Sequence, residues 1–165
     1  MDAGPLLFEG WYRGQHARLV ASLAAVFADP DLAREAADEA VLRAFERWDR
    51  VSVMASPEGW TFRVAMNIAR RRLRRARLER LVIHRFRADR SDSSPAPSGE
   101  LWQMVASLSE RQRLAVVLRH VGGLREAEIA DVMGITRGGV SSTLRAAYAH
   151  LRVALDPEPT RQEAT

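Results

Sequence analysis

Apolar positions recur every three to four residues along most of this chain, and the strict alternation of a half-buried strand is almost absent. The pattern predicts helices. In the first, over about Leu6 to Phe27, residues Leu19, Leu23, Val26 and Phe27 fall at i, i+4, i+7 and i+8 and form a core stripe. Asp29-Pro30 supplies a side-chain cap and a first-turn proline for a second helix running to about Trp48. Its apolar face is Ala33, Ala37, Ala40, Val41, Ala44, Phe45 and Trp48, and its other face carries Glu35, Asp38, Glu39, Leu42, Arg43 and Glu46. Ser56-Pro57-Glu58 opens a third helix by the same capping logic, extending to about Arg80.

The helical pattern stops at Ala88-Asp-Arg-Ser-Asp-Ser-Ser-Pro-Ala-Pro-Ser-Gly99, too polar and too rich in Ser and Pro to bury a core. It resumes from about Glu100 to Leu155. The expected fold is therefore all-α: two small helical domains over 6–87 and 100–155, joined by a short flexible linker at 88–99. Residues 156–165, with Pro157 and Pro159, are expected to be a frayed tail.

Composition narrows the chemistry. The absence of cysteine among 165 residues excludes disulfides, thiolate zinc sites, iron–sulfur clusters and a cysteine nucleophile. His16, His84, His120 and His150 lie far apart without metal-ligand spacing, so no metal, cofactor or catalytic residue is expected. No apolar run approaches the ~20 residues of a membrane span, and the N-terminus lacks a signal-peptide pattern. A cytoplasmic protein without membrane insertion or a small-molecule substrate is expected.

The net charge of +4 conceals an uneven distribution: residues 1–62 carry 6 Arg against 10 Asp and Glu, whereas residues 63–90 carry 11 Arg against 2. Such a block repels itself unless a polyanion is its partner. On the third helix Arg63, Asn67, Arg70, Arg71 and Arg74 share one side, while Trp60, Val64, Ala65 and Ile68 are expected to turn toward the core. Guanidinium groups bind phosphates bidentately and stack on bases, and a lone amide can read a base edge. Asn67 and Trp60 are natural parts of a pocket for an unstacked base. This helix alone does not separate DNA from RNA.

Residues 124–152 carry the spacing of a DNA-reading helix-turn-helix. Ile129, Ala130 and Met133 face inward, Gly134 permits a tight turn, Ile135 plugs it, Thr136 caps the second helix, and Val140 and Leu144 pack it back. That second helix offers Arg137, Ser141, Ser142, Thr143 and Arg145 to a major groove.

Taken in order, these stretches resemble the extracytoplasmic-function group of bacterial sigma-70-type sigma factors. Leu32-Ala-Arg-Glu-Ala-Ala-Asp-Glu-Ala-Val-Leu-Arg-Ala-Phe45 is similar to the family's segment for docking on the polymerase clamp helices. Trp60-Thr-Phe-Arg-Val-Ala-Met-Asn-Ile-Ala-Arg-Arg-Arg-Leu-Arg-Arg75 is similar to the segment that melts and reads the −10 element. Leu108-Ser-Glu-Arg-Gln-Arg-Leu-Ala-Val-Val-Leu-Arg-His120 and the helix-turn-helix are similar to the domain that reads the −35 element. The resemblance implies Trp60, Arg63, Asn67, Arg70, Arg71 and Arg74 as −10 contacts. It implies Arg137, Ser141, Ser142, Thr143 and Arg145 as −35 contacts, and Glu35, Asp38, Glu39, Leu42 and Arg43 as the polymerase face. Implied partners are core RNA polymerase, at its clamp helices and flap, promoter DNA and an anti-sigma factor. The linker, spanning at most ~40 Å at ~3.3–3.6 Å per residue, would thread toward the RNA exit path.

The chain departs from the family at Asp38, where Gln is common, and at Ser141 and Thr143, where basic residues are usual. An autonomous dimeric helix-turn-helix regulator is the competing reading; an enzyme using the carboxylates Glu35, Asp38 and Glu39 is a third.

Overall fold

The computed structural model describes residues 4–83 and 99–155 and places them in eight helices: α1 (Gly4–Phe27), α2 (Pro30–Phe45), α3 (Trp48–Val51), α4 (Pro57–Ile83), α5 (Glu100–Ser107), α6 (Glu110–His120), α7 (Glu126–Met133) and α8 (Arg137–Leu155). The expected linker, apart from Gly99, and the expected tail lie outside the described residues. No strand occurs among the described residues.

Local chemistry accounts for most boundaries. Ala28 takes a left-handed turn (φ +54°) that ends α1, and Asp29 in extended backbone accepts from the Leu32 N–H at 2.9 Å to start α2. Ser56 starts α4 in the same way, accepting from the Gly59 N–H at 2.9 Å. Ser109 and Gln112 form a reciprocal capping box before α6. Gly134, at φ +66°, ends α7, and Thr136 accepts from the Gly139 N–H at 3.1 Å as α8 begins.

The second helix stops earlier than its apolar period suggests. Arg47 leaves helical backbone (φ −127°, ψ 25°), and Trp48 starts the short α3 rather than ending α2. The cause is tertiary: the Trp48 ring packs against Phe8 and Trp11 of α1, with centroids 5.0 and 4.9 Å away. The Trp11 indole donates to Glu58 at 3.1 Å, tying the start of α4 to the same cluster. Phe45 is not core: it is 56% exposed, although its ring meets Phe8 edge-on. The alanines of α2 are buried as expected, and their small side chains let α1 and α4 approach closely.

In the second half Ile129, Ala130, Val140 and Leu144 are buried, with Met133 and Ile135 half-buried against them, as the helix-turn-helix spacing requires. The two halves share one continuous core. Phe62 of α4 is fully buried, and the turn after α6 lies on it: a Cβ added to Gly122 would come within 3.1 Å of the Phe62 ring and 2.8 Å of the Leu118 carbonyl oxygen. Along this seam α4 packs on α7 and α1 packs on α6.

Candidate nucleic-acid interface

Helix α4 presents its polar residues to three different neighbours. Successive residues turn by about 100°, so a stripe that reads as one side in sequence spreads across the grooves beside the helix. At its N-terminal end Trp60 and Arg63 line a cavity of about 540 Å³ with Met54 and Ser56. Trp60 is half-buried there rather than turned into the core; Thr61, Phe62, Ala65 and Met66 fill that role. Thr61 is accommodated by donating its hydroxyl to the Pro57 carbonyl at 2.8 Å.

Asn67, in the middle of the helix, is exposed. It lines a second groove, between α4 and α2, with Arg71, Arg72, Arg75, Arg43 and Glu39. The amide is therefore flanked by guanidinium groups with its donor and acceptor both open to a ligand. Arg70 and Arg74 face the seam with α6 instead, where Arg113 and Glu110 stand opposite. The five residues of the expected strip are thus neighbours on one helix but not one flat surface.

The acidic face of α2 is internally paired. Arg72 of α4 donates to Glu35 and, at 2.7 Å, to Glu39; Arg43 also donates to Glu39, at 2.6 Å. His16 Nε2 lies 2.7 Å from Asp38. These pairs are open to water, with the Glu35 and Asp38 side chains 64% and 59% exposed, so each holds its partner only weakly. Leu42 stands 55% exposed beside them. Arg72 was not singled out by the sequence pattern; its signal is its place at i+4 from the buried Ile68, which aims it at α2.

On the helix-turn-helix, Arg137, Ser142 and Arg145 are exposed and Ser141 is half-exposed. Thr143 is committed internally, donating its hydroxyl to the Gly139 carbonyl at 2.7 Å. Arg137 lines the cavity that holds Trp60 and Arg63, together with Glu126, Glu128 and Asp131 of α7. The acidic side of α7 therefore faces Arg63 near the start of α4, an arrangement the linear charge pattern did not reveal. Burial pushes the Glu128 carboxyl up, but hydrogen bonds from the Arg125 side chain and backbone N–H, at 3.0 and 2.6 Å, with the Ser56 hydroxyl contributing across the seam, hold it below its ordinary value. The side-chain hydrogen bond to Glu128 raises Arg125 in turn.

Residues 13–79 match the family described as Sigma-70 region 2, and residues 98–151 match Sigma-70, region 4. The RNA polymerase sigma-E factor of Streptomyces avermitilis is 29% identical over 154 residues, spanning 92% of this chain and 86% of that protein. Its counterpart in Streptomyces coelicolor is 28% identical over 153 residues, spanning 91% and 86%. The fold is similar to that of the sigma factor RpoE from Bartonella quintana, solved in complex with the anti-sigma factor NepR, with a TM-score of 0.72 at 18% identity over 92% of this chain and 98% of that one. The region 2 match over the helical bundle and the region 4 match over the helix-turn-helix, in this order, define the class of bacterial transcription initiation proteins. This chain belongs to the sigma-70 family and is a sigma factor of its extracytoplasmic-function group. No described helix is long and apolar enough to cross a membrane.

Proposed function

We propose that the chain acts in the cytoplasm as a promoter-specificity subunit without catalytic activity of its own. It docks on the clamp helices of core RNA polymerase through Glu35, Asp38, Glu39, Leu42 and Arg43. It captures one DNA strand at the −10 element through Trp60, Arg63, Asn67, Arg70, Arg71 and Arg74. The −35 element is read through Arg137, Ser141, Ser142 and Arg145, with Thr143 supporting the start of the reading helix. The observation that carries this reading is Asn67, an exposed carboxamide among guanidinium groups on a helix otherwise anchored in the core. Such a site grips phosphates and also reads a base edge, which a uniformly cationic surface does not. Strand opening draws on binding energy for the unpaired strand.

In the closed arrangement Trp60, Arg63 and Arg137 share one cavity with the α7 carboxylates. The two DNA readers therefore face each other, and use of both requires the halves to part. Docking on polymerase supplies the energy for that separation, and an anti-sigma factor would oppose it. An enzyme built on Glu35, Asp38 and Glu39 is disfavoured because each carboxylate is already engaged by Arg72 or His16.

The test is transcription in vitro from fragmented genomic DNA by core polymerase with and without the chain. A defined set of new start sites sharing −10 and −35 sequences is expected. RNA synthesis no better than core enzyme alone would overturn the reading. Tight binding of a palindrome by the chain without polymerase would favour the regulator.

A further inference from the structure

The other end of the seam has the opposite electrostatic character. Where α7 packs on α4, carboxylates face Arg63; across the cleft between α4 and α6, Arg113 faces three arginines. Arg70, Arg74 and Arg77 of α4 and Arg113 of α6 line one cleft of about 370 Å³, with Glu110 the only carboxylate on its wall among the described residues. None of these four arginines makes an ion pair among the described residues, whereas Arg43, Arg72 and Arg75 each hold a carboxylate at 2.6 to 2.8 Å. The Arg113 Nε–H is buried and has no hydrogen-bond partner. A buried donor without an acceptor is costly, and guanidinium groups converging on one cleft repel one another. An anion in the cleft offsets the repulsion among these guanidinium groups.

We infer that this cleft is a binding site for a short inorganic or nucleotide-borne polyphosphate. Four guanidinium groups on two helices call for several linked phosphoryl groups rather than one. The cleft is walled by α4 and α6 and floored by Phe27 and Leu73, so a duplex does not fit within it. Because the ligand touches both halves, it holds the closed arrangement and withholds Arg70 and Arg74 from DNA. Binding itself does not depend on the sigma-factor reading; its consequence for initiation does.

The full chain, which has no native cysteine, is labelled with a dye pair at Leu78→Cys and Val153→Cys, both exposed sites on α4 and α8. It is titrated with inorganic tripolyphosphate at constant ionic strength, followed by calorimetry and energy transfer. One molecule bound per chain, with a larger closed fraction, is expected. Arg77→Gln and Arg113→Gln, both outside the proposed DNA and polymerase contacts, should each weaken binding about tenfold, as loss of a charge-assisted hydrogen bond implies, while Arg152→Gln leaves it unchanged. Should Arg113→Gln fail to fold, exposed Arg77 carries the test. Tripolyphosphate binding no tighter than sulfate (an adventitious ion only) would overturn the inference, as would unchanged affinity in Arg77→Gln. Competition by single-stranded DNA without closure would assign the cleft to the DNA path and overturn it too. Transcription by Arg77→Gln without polyphosphate should match wild type, so failure of the wild-type chain to direct initiation would count against the proposed function alone.

Discussion

Arg72 of α4 reaches back to α2 and donates to Glu39 at 2.7 Å, with Glu35 held by its other terminal nitrogen. One cation from the proposed DNA helix thus sits on the proposed polymerase face. Arg72→Gln should lower stability by no more than about 1 kcal/mol, because these pairs are exposed. It leaves Glu35 without a partner while Arg43 keeps Glu39, so affinity for core polymerase should rise and depend more steeply on salt. Fluorescence anisotropy over a salt series checks this; an unchanged slope would remove Arg72 from the docking balance.

Asn67→Ala removes the carboxamide without disturbing packing, since the side chain is exposed. Open-complex formation at a cognate promoter should fall about tenfold, the scale of a lost base-edge contact, with polymerase affinity unchanged. Permanganate footprinting and co-purification separate the two effects.

The cap of α7 should respond to acid. Glu128 is held below its ordinary value of 4.5 in the folded chain by Arg125 and Ser56. A group with a depressed folded value contributes stability above the unfolded value and loses it as pH falls through the folded one. The stability of the chain should therefore be constant above about pH 5 and fall below 4.5, whereas Glu128→Gln should be less stable above that range and lose that acid dependence. Urea denaturation repeated across the pH range gives the result.

Gly122→Ala places a methyl group 2.8 Å from the Leu118 carbonyl and 3.1 Å from the Phe62 ring. The carbonyl is backbone and cannot swing away, so the turn must shift. A loss of about 1–3 kcal/mol is expected, the usual scale for overpacking a core. Urea denaturation measures it.

Ala28→Gly relieves a left-handed residue at φ +54°. The gain from removing the Cβ clash exceeds the added freedom of the unfolded chain, leaving about 0.5–1 kcal/mol of stabilisation. Thermal melting should show a higher midpoint; a lower one would place the strain elsewhere.

The primary sequence alone determined the three long helices of the first half, the caps at Asp29, Ser56 and Thr136, and the helix-turn-helix. Apolar period, Asp29-Pro30, Ser56-Pro57, Gly134 and Thr136 act through contacts a few residues apart, and local spacing records them. The cationic character of α4 was legible for the same reason. What tertiary structure decided was what each residue faces. Trp48 began a new helix because distant aromatic rings held it, and Trp60, expected in the core, lines a cavity while Phe62 fills the core two residues on. Arg72 found its carboxylates on another helix. The opposition of α7 acids to Trp60 and Arg63, and of Arg113 to Arg70, Arg74 and Arg77, arises only when the two halves pack together. Such contacts join residues dozens of positions apart, and no local period encodes them.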